Sequence, residues 1–218
     1  MNEQTCSLYL ITPPQFDPKL FSDNFKAALD GGHIGAIQLR LKNVDDDEIR
    51  WACEALLPIA LSYGIIFLLN DRPDLALEMA CDGVHIGQED GTYKKAREIV
   101  GPDKIVGVTC HASRHLSMEA AENGADYVAF GAFHPTSTKQ ARFKADPEIL
   151  EWWSEIMLPP CVAIGGITIE NCSSLVKAGA DMVAVVSSVW DHPKSPTQAV
   201  QEFNKVFADM ADTSVASS

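Results

Sequence analysis

Residues 65–90 read IIFLLNDRPDLALEMACDGVHIGQED, and this stretch decides the fold. An apolar run, IIFLLN (65–70), ends on Asn70 and Asp71. A second run, GVHIG (83–87), ends on Gln88 and Asp90. The short segment between them has helical periodicity, so strand is followed by helix and then by strand. Two strands joined in this way lie parallel, because the helix returns the chain to the same end of the sheet.

Outward from that unit the rhythm repeats. Further β-rich runs stand at LYLIT (8–12), GAIQLRL (35–41), KIVGVTC (104–110), YVAFGAF (127–133), CVAIGGI (161–167) and MVAVVSS (182–188). The segments between them are helical in pattern. DDDEIRWACEALLPIALSYG, for example, opens on acids that suit the positive end of a helix and closes on Gly64. Eight such units are what a closed (β/α)8 TIM barrel requires, with an open doubly wound sheet as the alternative. The phrases GGHIGAIQ, ACDGVHIG, NGADYVAF and KAGADMVAV each carry a helix end with Gly into a strand, which points to one structural unit used repeatedly.

A chain of 218 residues is compatible with one such α/β domain, expected over 1–211, with the polar segment from 212 to 218 as a disordered tail. The formal charge of -13 and the lack of a Lys/Arg run argue against nucleic acid and anionic membranes as partners. MNEQTCSLYLIT has neither a basic leader nor a long apolar stretch, so a cytoplasmic protein is expected. Six scattered cysteines without a CxxC pair read as reduced, buried thiols.

In a barrel the strand ends carry function. On the strand parity expected here, Gln38, Arg40 and Lys42 point to one side of one strand end, and Lys139 adds a cation from the long loop 134–147. Three cations at one rim of an acidic protein suit phosphate or diphosphate, although a lone Arg40 would equally suit an interior carboxylate. Asp71 and Asp90, at neighbouring strand ends, suit Mg2+ beside such an anion; singly, each reads as a helix or turn cap. The turn Gly165–Gly166 and the sequence VVSS fall where barrels commonly bind a second phosphate. The loop 134–147 is long enough to be a lid, with Thr136 and Thr138 as hydrogen-bonding groups.

Taken in order, QLRLK, LLNDRPDLA, DGVHIGQED, GADYVAFGAFHPTSTK, VAIGGI and GADMVAVVSS resemble the thiamine-phosphate synthase family over nearly the whole chain. The resemblance implies a Mg2+-dependent transferase. It would join hydroxymethylpyrimidine diphosphate to a thiazole phosphate and release diphosphate, the pyrimidine methylene ionising before the thiazole nitrogen attacks. It assigns Gln38, Arg40, Lys42, Asn70, Thr109 and Lys139 to the pyrimidine diphosphate, with Arg40, Lys42, Thr109 and Lys139 at the chemistry. Asp71 and Asp90 fall to the metal, and Thr136, Thr138, Gly166, Val186 and Ser187 to the thiazole phosphate. Leu41, Thr109, Cys110 and His134 depart from the family's usual residues, Thr109 by a methyl added to the common serine.

Two rivals share the fold: a thiazole tautomerase-like isomerase, which has no need of a diphosphate and metal site, and a catalytically silent barrel that binds a thiamine precursor. Cys110, His111 and His115 are close in sequence, but no further soft ligands cluster with them and zinc normally takes three or four, so a transition-metal site is not expected. His85 reads as an interior packing residue, and of Trp152 and Trp153 one is expected to pack inward. A homo-oligomer is open on sequence.

Overall fold

The structure, a computed structural model, describes residues 6–89, 91–136 and 143–215. Eight strands close into a barrel in sequence order, every neighbouring pair parallel: β1 (Ser7–Ile11), β2 (Ile34–Leu39), β3 (Ile66–Asn70), β4 (Gly83–Ile86), β5 (Ile105–His111), β6 (Tyr127–Gly131), β7 (Cys161–Ile164) and β8 (Met182–Val185). The helices between them are α1 (Pro18–Leu29), α2 (Asp46–Ser62), α3 (Pro73–Glu78), α4 (Tyr93–Val100), α5 (Arg114–Glu122), α6 (Glu148–Ile156) and α7 (Cys172–Lys177). After β8 come a one-turn helix, α8 (Ser187–Trp190), and α9 (Pro196–Val215), which packs against α1 and α7. Among the described residues no helix is long and apolar enough to cross a membrane.

Parity sorts the strand residues into two cores. On β1, Leu8 and Leu10 face the helices, while Tyr9 and Ile11 face inward with Ala36, Leu68, Tyr127, Ala129, Val162 and Ala184. The outer layer is the larger, and Phe25, Leu56, Phe67, Leu150 and Trp153 are fully buried in it. Trp153 packs beneath β6 and donates its indole N–H to Pro159, whereas Trp152 is only partly covered. The acidic start of α2 is a full capping box, Asp45 and Glu48 each bonding the other's backbone N–H.

The repeated GADxV-type phrases turn out to be a latch at the bottom of the barrel. Asp82, Asp126 and Asp181 stand just before β4, β6 and β8. Each donates its backbone N–H to a residue on the preceding strand, Phe67, Val106 and Cys161 respectively. Each then accepts that same residue's N–H on its carboxylate, at 2.8, 2.7 and 2.7 Å. In the first repeat a histidine takes the place, His33 Nε2 lying 3.1 Å from Ser7 Oγ. The latch satisfies strand-start donors that the ladder leaves over. Asp126→Ala orphans the N–H of fully buried Val106 and removes a partner of Arg97. A loss of about 2 kcal/mol in urea-unfolding free energy is expected, and an unchanged midpoint and slope would show that the latch contributes nothing.

Several strands are shorter than their apolar runs, and at β2 and β8 this moves candidate site residues off the strand. β2 ends at Leu39, so Arg40 and Lys42 stand in the loop beyond it rather than on strand pleats. The reason is local: the Arg40 N–H bonds Thr12 Oγ1 and the Lys42 N–H bonds the Pro14 carbonyl, which draws the chain toward the β1 loop. Likewise MVAVVSS splits at Val185, and Ser187 opens α8. The last helix runs on to Val215, past position 211.

Candidate active site

The C-terminal ends of the strands enclose a cavity of about 450 Å³. Gln38, Arg40, Lys42, Asn70, Asp71 and Thr109 line one side, and Thr136, Gly166, Val186 and Ser187 line the other. Residues assigned separately from six different strand ends therefore share one space. Asp90, Thr138 and Lys139 lie outside the described residues. The cavity also takes in His85, Gln88, Glu89, His111 and Phe143.

On the β2–β3 side, Lys42 Nζ lies 2.6 Å from Asp71 Oδ2, and the Asn70 amide donates to the same oxygen. Asp71 leaves the strand in a left-handed conformation (φ 63°), which Asp and Asn tolerate better than other residues with a Cβ. Its N–H reaches across to the carbonyl of His85 at 2.8 Å, so the carboxylate is held at the rim by its own backbone. Both side-chain hydrogen bonds that Asp71 makes among the described residues use Oδ2, which leaves Oδ1 for a further ligand. A hard oxygen donor between a lysine and the cavity fits Mg2+ well. Among the described residues no three His, Cys, Asp or Glu side chains are grouped to hold a metal, and Asp90, the second carboxylate assigned to it, lies outside them.

Beneath the rim runs a polar network. Gln38 Nε2 lies 2.7 Å from Asn70 Oδ1, and Gln38 Oε1 lies 3.3 Å from the Tyr9 hydroxyl. Tyr9 meets Tyr127 at 2.9 Å, Tyr127 meets His85 Nδ1 at 2.8 Å, and His85 Nε2 meets Thr109 Oγ1 at 2.8 Å. Burial lowers the His85 pKa to about 4, so the ring is neutral at pH 7, and burial likewise raises both tyrosines above the ordinary phenol range. Tyr127 can cross the interior only because Gly107 faces it: a Cβ there would lie 1.9 Å from the ring. Sequence reasoning left Tyr9 and Tyr127 unmarked. Their signal was available, since both are hydroxyl-bearing residues at inward parity in apolar runs.

The opposite side is built from backbone. Gly165 and Gly166 both have positive φ, and a Cβ on Gly166 would lie 2.2 Å from the Pro135 carbonyl oxygen. Asn171 braces the turn, accepting from the Thr168 N–H and donating to the Gly166 carbonyl, and Ser188 Oγ bonds Ile167. Gly166→Ala therefore displaces the wall that carries Thr136. If a substrate is seated against this wall, its KM is expected to rise about tenfold or more, a lost hydrogen bond to a charged group being worth ~1.5–3 kcal/mol. Unchanged kinetics in Gly166→Ala would remove this turn from the site.

Beside this wall, Phe143 and Ala145 hydrogen-bond Ala132 and tie the far end of the 134–147 loop to the mouth. The Phe143 ring lies against His111 at 4.7 Å between centroids. The His134 carbonyl lies under Gly166, and the Nε2 of its ring is buried. Cys110 points away from the cavity into the outer core, its thiol pushed up to about 12 by burial, and His115 is exposed on α5. Neither offers a nucleophile to the cavity.

A family model described as thiamine monophosphate synthase matches residues 8–189. A thiamine-phosphate synthase of Rhodospirillum centenum is 59% identical over 201 residues, covering 92% of this chain and 97% of the relative. One from Hyphomonas neptunium is 45% identical over 209 residues, covering 94% and 95%. Among solved structures, thiamine phosphate pyrophosphorylase from Pyrococcus furiosus superposes with a TM-score of 0.82 at 33% identity, covering 96% of this chain and 99% of that one.

Proposed function

Because this chain belongs to the thiamine monophosphate synthase family, whose curated relatives are transferases, we propose that its cavity joins a pyrimidine diphosphate to a thiazole phosphate in the presence of Mg2+. The observation that carries this reading is the division of one cavity into two poles. Arg40, Lys42, Asn70 and Asp71 form a charged pole, and Thr136, Gly166, Val186 and Ser187 form a neutral pole of backbone and hydroxyl groups. Two anionic substrates can be held facing each other there, which converts a bimolecular reaction into one between neighbours.

The carbon–oxygen bond of the pyrimidine methylene breaks with its electron pair leaving on diphosphate, and the thiazole nitrogen lone pair forms the new carbon–nitrogen bond. No proton moves. The reaction asks for no base: His85 is neutral and engaged on both ring nitrogens, Cys110 points into the outer core, and neither Glu89 nor His111, which also line the cavity, has a proton to remove. Arg40 and Lys42 stabilise the charge that accumulates on the leaving group, the kind of preorganised electrostatics that lowers such barriers. Asp71 and, on the family resemblance, Asp90 would hold Mg2+, which supplies charge neutralisation on the diphosphate. The 134–147 loop, with Thr138 and Lys139, would cover the reacting centre and keep water from it. Substrates with this many charges do not cross bilayers unaided, which suits a cytoplasmic site of action.

Purified protein supplied with both substrates is expected to form thiamine phosphate and release diphosphate in a Mg2+-dependent manner, with Lys139→Ala strongly impaired. Well-folded protein that binds the thiazole phosphate but yields no product would sink the synthase reading in favour of a silent binder.

A further inference from the structure

The network under the cavity has a direction, and the direction follows from its ends. A carboxylate only accepts, so Asn70 turns its amide nitrogen to Asp71 and its carbonyl oxygen to Gln38. Gln38 must then donate through Nε2, and its remaining oxygen accepts the Tyr9 hydroxyl proton. Tyr9 has spent its only proton, so the 2.9 Å contact with Tyr127 is filled by the Tyr127 proton. Tyr127 in turn can only accept at its 2.8 Å contact with His85 Nδ1, which must carry a hydrogen. The ring's side-chain partners are two hydroxyls, and an imidazolium buried there without a counter-ion in contact would be costly, so it carries one N–H and no more. Nε2 is left as an acceptor, and the proton in its 2.8 Å contact comes from the Thr109 hydroxyl.

We propose that this one-way chain from Asp71 to Thr109 sets His85 as its Nδ1–H tautomer and turns the Thr109 hydroxyl proton inward, so that Thr109 offers the cavity an oxygen lone pair. The consequence concerns which ligand atom Thr109 meets. A diphosphate oxygen is an acceptor and finds no proton there. An amino group, or a carbon gathering positive charge, finds the lone pair it needs. On the reaction proposed above, Thr109 therefore faces the pyrimidine amino group or the ionising methylene rather than the leaving diphosphate. His85 and Tyr127 are positioning residues that transfer no proton themselves. Charge at Asp71 and hydroxyl orientation at Thr109 are thereby linked across the barrel from β3 to β5.

Nitrogen-15 NMR of histidine-labelled protein without substrates tests the chain directly. Free neutral imidazole favours Nε2–H, so a His85 signal with the proton on Nδ1 at pH 7 is the expected and discriminating result. In Tyr127→Phe the acceptor for Nδ1–H is gone; the proton is expected to move to Nε2, and kcat to fall about tenfold with KM values nearly unchanged, the scale typical of lost supporting hydrogen bonds. In Thr109→Val, Nδ1 keeps its proton while the Nε2 resonance shifts toward that of a nitrogen without a hydrogen-bond donor. A wild-type ring protonated on Nε2, or on both nitrogens, overturns the proposal, as does an unchanged tautomer in folded Tyr127→Phe. Should that variant not fold, the wild-type spectrum decides alone. The spectrum needs no turnover, so protein that shows Nδ1–H yet makes no thiamine phosphate refutes the reaction and leaves the chain standing.

Discussion

Asp71→Asn is expected to lower kcat for thiamine phosphate formation by about a hundredfold or more, on the scale of losing one preorganised electrostatic contact in a transition state. Asparagine is the informative replacement. It keeps the size of the side chain and tolerates the left-handed backbone at this position, where alanine would add strain of roughly 1–2 kcal/mol. Two effects of the substitution oppose each other. Removing the carboxylate frees Lys42 from its 2.6 Å partner, which makes the pole more positive and favours diphosphate binding. It also removes an anionic oxygen from the proposed metal site, which weakens neutralisation of the leaving group. Ground-state binding gains from the first effect, while the transition state suffers from the second, because charge on the departing oxygens is largest there. KM for the pyrimidine diphosphate should thus stay level or fall while kcat drops, and the Mg2+ concentration for half-maximal rate should rise. Wild-type kcat at the same Mg2+ concentration would take Asp71 out of the metal's reach.

The second large effect is on stability. His85 is buried with its pKa depressed to about 4, whereas in the unfolded chain it titrates near 6.5. Below 6.5 the unfolded chain binds a proton that the folded barrel refuses, so stability is greatest above that pH and declines as pH falls toward 4. The full loss is on the order of 3 kcal/mol, about 2 of which falls between pH 6.5 and 5. That upper part of the window is the useful one. The carboxylates of Asp46, Asp74 and Glu78, held low by Arg72 and Arg50, titrate well beneath it. Urea unfolding of wild type and His85→Gln at pH 7 and pH 5 measures the difference. His85→Gln should be less stable at pH 7 but lose less on acidification. Parallel pH dependence in the two proteins would show that His85 titrates alike in both states.

Much of the site was legible before any tertiary structure, for a geometrical reason. Once eight β-then-α units imply a closed barrel, every strand end is a neighbour of the same mouth. Gln38, Asn70, Thr109 and Val186, scattered along the chain, then need no contact information to be placed together. The parity argument held for Gln38 but not beyond Leu39, because the hydrogen bond from Arg40 to Thr12 ends the ladder there. Strand length depends on which donors a neighbouring loop captures, and no local pattern records that.

The order of apolar runs, their helical spacers and the repeated GADxV phrases thus determined the barrel, its mouth and which polar residues gather there, since each rests on periodicity and on side-chain chemistry. What only the tertiary structure decided is how those groups are spent. Lys42 is engaged by Asp71, the chain of hydrogen bonds joins Tyr9 to Tyr127 across 118 positions of sequence, and His85 is neutral. Each of these depends on burial and on partners brought from distant strands, and the free energy of a polar group is set by its surroundings rather than by its neighbours in the chain.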